Sequence, residues 1–197
     1  MINRILRTAN YYIHNLLFSL CTFFERFYLM CIGIEGGNDA RYRGWCSFFK
    51  ANDSKIVLGK NHVYNSCEYT NHIGLNHRCV LTTMKPCAEI IIGDNFGMSS
   101  STITAFQSVR IGNNVRVGAN CIIMDGDFHL DDPRTNEPRP VVIDDNVWLG
   151  ANVVVMKGVH IGCNSVIGVN SVVTKDIPEN VVAAGNPCKV IKFLKVV

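Results

Sequence analysis

Ile143, Leu149, Val155, Ile161, Ile167 and Val173 stand six residues apart in unbroken phase. Four residues after each comes a second apolar or small residue: Val147, Val153, Val159, Ser165, Ser171 and Ile177. Gly150, Gly162 and Gly168 directly follow three members of the first column. A period of six is neither the 3.6 of an amphipathic helix nor the 2 of a half-buried strand. A fixed hexapeptide repeat is the signature of a parallel β-helix. Each hexapeptide forms one side of a triangular coil, and the column residue points inward onto its equivalent in the next coil. Glycine or asparagine near each corner supplies the backbone freedom the turn needs. No coil buries its apolar face alone, so stability comes from stacking. A β-sandwich of short strands would have to match six in-phase positions by chance.

Upstream, the repeat starts raggedly. Ile56 and Leu58–Gly59 read as a first coil, followed by Ile73–Gly74. The column clears at Ile92, Met98 and Thr104, then slips one residue to Ile111, Val117 and Ile123. Ile143 then follows Ile123 by 20 residues (143 − 123) where the repeat allows six. A polar loop is therefore extruded at about 126–140, carrying Asp127, His129, Asp131, Asp132, Arg134 and Arg139. A long loop inside a regular solenoid is usually functional or disordered. The repeat ends at Lys175–Glu179, where Pro178, and later Pro187, stop it.

Residues 1–55 read as a helical segment with a glycine-rich connector (33–53), and 56–192 as the β-helix domain. Between residues 2 and 32, Ile13, Leu16, Leu17, Leu20, Phe23, Phe24 and Phe27 recur at helical spacing, with His14, Asn15, Ser19, Thr22 and Arg26 mostly between them. Arg4 and Arg7 precede this run as in a signal peptide, but no small-residue cleavage site follows. Glu25–Arg26 interrupts the ~20 apolar residues that a spanning helix needs. Three readings stay open: packing on the domain or a partner subunit, lying on a membrane surface, and crossing it.

The net charge of +3 is too small to argue for nucleic acid. Nine cysteines, an odd number without a C-x-x-C pair, read as reduced thiols in a cytoplasmic protein. The candidate chemical site is Asp125-Gly126-Asp127-Phe128-His129, at the base of the loop. Imidazole, with an ordinary pKa near 6.5, accepts a proton at neutral pH. Asp125 or Asp127 would orient it. No Ser-His-Asp or Cys-His arrangement is assignable from spacing.

Several stretches resemble the hexapeptide-repeat acetyltransferases: 125–129, Asn146-Val-Trp-Leu-Gly-Ala151, 166–178 and Val182-Ala-Ala-Gly-Asn-Pro-Cys-Lys189. Within that family the maltose, galactoside and surface-polysaccharide O-acetyltransferases are the most similar. The resemblance covers roughly 58–192. It implies an all-β, left-handed parallel β-helix, assembled as a homotrimer with inter-subunit active sites, acetyl-CoA as donor, a carbohydrate acceptor and no metal. It makes His129 the general base for direct attack of an acceptor hydroxyl on the thioester. It puts Ser100, where the family has asparagine, and Asp127 beside the acceptor. It gives Trp148 the pantetheine channel, Ala151 and Val169 backbone contacts to the pantetheine, and Thr174 and Lys175 the nucleotide end. Lys189 and Lys192 take the place of phosphate-binding arginines, keeping the charge without the bidentate fork. His160 occupies a position where the family has a small polar residue.

Chloramphenicol-type, serine and amino-sugar acetyltransfer are the alternative acceptor classes. A zinc hydratase of the γ-carbonic anhydrase type would use the H-x4-H pair His72 and His77, but needs a third histidine. A non-catalytic scaffold would explain the repeat but not the loop histidine. The helical N-terminus suits a peripheral position at the inner face of a membrane.

Overall fold

A computed structural model describes residues 2–129 and 131–195, with side chains from residue 8 onward. Arg4 and Arg7 therefore have side chains outside the described residues. A helix, Ile2–Cys31, precedes a left-handed parallel β-helix. Among the described residues the coils lay their short strands into three sheets of six, eight and six strands, the faces of a triangular prism, all parallel but for the last strand of the second.

The repeat predicts the interior. The first sheet stacks Leu58, Ile92, Ile111, Ile143 and Ile161 in register. The second stacks Tyr64, Met98, Val117, Leu149 and Ile167. The third stacks Phe48, Leu81, Ile103, Ile123, Val155 and Val173. All are buried, as are Val147, Val153, Val159, Ser165, Ser171 and Ile177.

The corner between the first and second sheets is turned by asparagine. Asn61, Asn95, Asn114, Asn146, Asn164 and Asn180 all adopt φ of 56 to 60°, a left-handed conformation that asparagine tolerates better than most residues. Their side chains form one continuous ladder, each amide N–H donating to the next carbonyl at 2.9–3.2 Å. Asn152 and Asn170 do the same at the next corner. The glycines after the column have a different duty from the one expected. Gly150 has no positive φ; a Cβ there would stand 2.8 Å from the Val169 nitrogen of the next coil. The glycines allow close stacking, and the asparagines turn the chain.

Three expectations need correction. The first coil starts in the supposed connector: Glu35–Gly36, Arg41–Arg43 and Ser47–Phe49 pair with the next coil in all three sheets. Ile73 is no column member; it is exposed on a second extruded loop at 66–79, pinned where Asn120 donates to the Gly74 carbonyl at 3.0 Å. The column residue of the third sheet is Ile103, not Thr104, because Ile103 pairs with Ile123 while Thr104 pairs with Met124. The phase slip is absorbed around Phe106–Ser108, a turn capped by a carboxylate described below.

The helix, for which three readings were open, packs on the domain. It packs against the first coil through its polar side. Thr22 Oγ1 donates to the Tyr42 carbonyl and accepts from its N–H at 3.1 and 3.0 Å. Arg26 donates twice to the Ala40 carbonyl, and Glu25, 1% exposed, accepts the Cys46 N–H at 2.6 Å. The apolar residues that the spacing singled out are exposed.

Candidate active site

The loop at 126–140 leaves the corner between the third and first sheets after strand Ile122–Met124, and returns at strand Val141–Ile143. Both ends are fastened. Asp125, fully buried, accepts the Phe106 N–H on one oxygen at 2.6 Å. Its other oxygen accepts those of Gln107 and Ser108 at 2.8 and 2.5 Å. The carboxylate thus caps the turn of the preceding coil. The returning chain bonds both neighbours: Arg139 N–H donates to the Asp125 carbonyl at 2.8 Å, and Gly158 N–H to that of Arg139 at 2.9 Å.

Asp127 pairs with the Lys157 ammonium, whose side chain is only 10% exposed and which also donates to the Asn136 carbonyl at 2.9 Å. Within the loop, Arg134 grips Asp132 and holds its carboxyl below the usual carboxylate range. The expectation that Asp125 or Asp127 orients His129 fails on geometry. Asp125 is spent on three backbone donors, and Asp127 on Lys157. His129 itself is exposed at the loop's base, its carbonyl accepting the Asp132 N–H at 3.1 Å. Lys157 had no sequence argument. Its signal was a cation one coil above the loop, on the same corner.

Ser100 departs from its expected place beside an acceptor. It is fully buried at φ 45°, and its hydroxyl donates to the His77 carbonyl while accepting the His77 N–H. It holds the 66–79 loop. His160 is a surface residue, paired with Asp144 at 2.8 Å.

The residues expected to meet the donor fall into three groups. Trp148 is 56% exposed on the outer face of the second sheet. It lies in one register row with Val166, Val182 and Lys192, which puts Lys192 about 14 Å from it at the usual strand spacing. Lys189, exposed, is on the same last strand, Lys189–Phe193, which closes the solenoid antiparallel to Val181–Ala184. Ala151 and Val169 occupy successive coils at the corner between the second and third sheets, Ala151 buried and Val169 exposed. Thr174 and Lys175, both exposed, follow strand Val172–Val173 at the corner that carries the His129 loop. One chain therefore separates Trp148 from His129 by a full face of the prism. Among the described residues, no three His, Cys, Asp or Glu side chains gather as a metal site.

These coils and this loop define a class, the hexapeptide-repeat transferases. The family model described as the hexapeptide repeat of succinyl-transferase matches residues 108–126 and 140–175. A maltose O-acetyltransferase of Clostridium difficile superimposes with a TM-score of 0.51 at 32% identity, over 75% of this chain and 71% of that one. A hexapeptide-repeat-containing acetyltransferase of Vibrio cholerae gives 0.51 at 26%, over 71% and 74%. The galactoside O-acetyltransferase of Escherichia coli is 44% identical over 110 residues, 53% of this chain and 54% of that protein. The chain belongs to the hexapeptide-repeat acetyltransferase family. It spans about half the length of the curated relatives it matches, 56% and 54% for two of them.

Proposed function

We propose that this chain transfers an acetyl group from acetyl-CoA to a hydroxyl of a sugar or surface-polysaccharide precursor. His129 takes the hydroxyl proton, the oxygen attacks the thioester carbon, and the C–S bond breaks. The imidazolium then returns the proton to the departing thiolate. The observation that carries this reading is an exposed imidazole on a loop tied at both ends to rigid coils, since a general base must be held within hydrogen-bond reach of the proton it removes. The relatives named as maltose and galactoside O-acetyltransferases support a sugar hydroxyl as acceptor.

Trp148, Ala151, Val169, Thr174, Lys175, Lys189 and Lys192 form the donor site in this reading. The separation of Trp148, Lys189 and Lys192 from His129 around the prism supports a homotrimer, in which one chain's His129 edge faces a neighbour's Trp148 face. Closed rings are the usual outcome for such faces. Ser100 and Asp127 serve the acceptor side indirectly, Ser100 by fixing the 66–79 loop and Asp127 by fixing the 126–140 loop. Free thiols throughout the described chain, Cys79 and Cys121 among them, support a reducing, cytoplasmic setting.

The test is thiol release from acetyl-CoA with a panel of sugars, lipid-linked sugars, serine and chloramphenicol. Wild type should give acceptor-dependent release, and His129→Ala should lower it roughly 10²–10⁴-fold. Release undiminished in His129→Ala removes that residue from the chemistry. Binding of neither CoA nor any acceptor overturns the transferase reading.

A further inference from the structure

The N-terminal helix is mounted with its polar side inward and its apolar side out. The docked stripe runs through His14, Phe18, Thr22, Glu25 and Arg26, and among the described side chains of the helix Cys21 and Leu29 are the apolar ones it buries. At 100° per residue, Leu16, Leu20, Phe23 and Phe27 lie on the opposite side, flanked by Ile13 and Phe24. All six are exposed, Phe23 by 66%. The ridge continues onto the first coil, where Phe24 and Trp45 sit with ring centroids 6.4 Å apart and Trp45 is itself exposed. An apolar ridge on a helix about 45 Å long (30 residues at 1.5 Å) is far larger than the isolated apolar residues a soluble surface tolerates.

We propose that this ridge lies on an anionic lipid bilayer, holding the N-terminal end of the β-helix to the membrane surface. Charge selects a bilayer over a second copy of the chain. Arg26, Arg41 and Arg43 line the groove on the Phe23 side, and Arg78 lines the groove on the Phe24 and Phe27 side. The one carboxylate in these two grooves is Glu25, buried against Cys46. A second copy would bring arginines to arginines. Anionic headgroups supply the missing negative charge, at about 1 kcal/mol per cation. The exposed Tyr12, Tyr28 and Trp45 are amphipathic aromatics of the kind that concentrate at headgroup depth. The arrangement is a surface-lying one. The polar side is committed to the first coil, and among the described residues no helix is long and apolar enough to cross a membrane. Lipid-anchored saccharides are then the hydroxyl acceptors nearest the enzyme. That refinement rests on the transferase reading, whereas bilayer binding does not.

The experiment is co-sedimentation of the full chain with phosphatidylcholine vesicles, with and without about one-third phosphatidylglycerol. Light scattering without lipid runs alongside. Wild type should bind the anionic vesicles, more weakly at high salt. Phe23→Ser with Phe27→Ser should weaken binding by roughly 10²- to 10⁴-fold, given what burying two phenylalanines contributes, with the circular dichroism and melting temperature kept. Arg41→Gln with Arg43→Gln should reduce binding to anionic vesicles selectively. The proposal is overturned by a wild type that binds no vesicle. It is equally overturned by serine variants that bind as well as wild type, or by variants whose main effect is a smaller assembly mass, which would assign the ridge to a second copy. Vesicle binding and acetyl transfer are read separately, so either can fail alone.

Discussion

Asp125→Asn is the sharpest test of how the loop is held. The wild-type carboxylate satisfies three backbone N–H groups, those of Phe106, Gln107 and Ser108, and has no solvent exposure. Asparagine has the same shape but one acceptor oxygen. Its better rotamer keeps the oxygen toward Gln107 and Ser108 and turns the amide group, a donor, toward the Phe106 donor. One charge-assisted bond is lost and one buried N–H is orphaned. At about 1.5–3 kcal/mol for the first and 1–3 for the second, partly overlapping, the expected cost is about 2–4 kcal/mol. For a chain of this size that lowers the melting temperature by about 5–15 °C. Asp125→Ala strands all three donors and opens a cavity, and should cost more. Urea unfolding followed by far-ultraviolet circular dichroism, with thermal melts, measures both. Below its new transition, Asp125→Asn should turn over within a few-fold of wild type. A loss under ~0.5 kcal/mol, typical of an uninvolved surface site, would refute the cap. Unchanged stability with activity as low as that of His129→Ala would restore Asp125 as the residue that orients the imidazole.

Three further predictions follow from the same geometry. Asn146→Gly keeps access to φ 60° but removes the ladder bonds to Asn114 and Asn164, for about 1 kcal/mol; Asn146→Ala adds left-handed strain of roughly 1–2 kcal/mol, so an alanine variant as stable as the glycine one would contradict the corner assignment. Lys157→Met frees Asp127 and should cost about 2 kcal/mol and speed tryptic cleavage after Arg134, whereas unchanged cleavage would show the loop to be held elsewhere. Burial lowers the pKa of His62, which is bonded to Tyr64 Oη and the Gly93 carbonyl. The unfolded chain takes up a proton near pH 6.5 that the native ring refuses, so this contribution is complete above pH 6.5 and fades as the pH falls toward the lower native value. The urea midpoint should drop between pH 7 and 5.5, less steeply in His62→Gln; equal slopes would dismiss the buried ring as the cause.

The sequence by itself determined whatever repeats. A period of six, apolar columns at 143–177 and a gap before Ile143 are sufficient to give a parallel β-helix, its interior and its extruded loop, because each coil repeats the environment of the one below. It also named His129, since a lone imidazole at the foot of such a loop is conspicuous. It misjudged what depends on partners distant in the chain. Asp125 looked like a carboxylate free to orient His129 until Phe106–Ser108, a coil away, claimed both of its oxygens. Ser100 looked like a contact to the acceptor until the His77 backbone closed on it. Glu35–Phe49 looked like a connector because short strands with few apolar residues show their pairing only against the next coil. The helix is the plainest case. Spacing gave its apolar and polar sides correctly, but periodicity reports that two sides differ, not which one faces the protein. Three hydrogen-bonding side chains, Thr22, Glu25 and Arg26, found backbone partners on the first coil, and that decided which side remained outside.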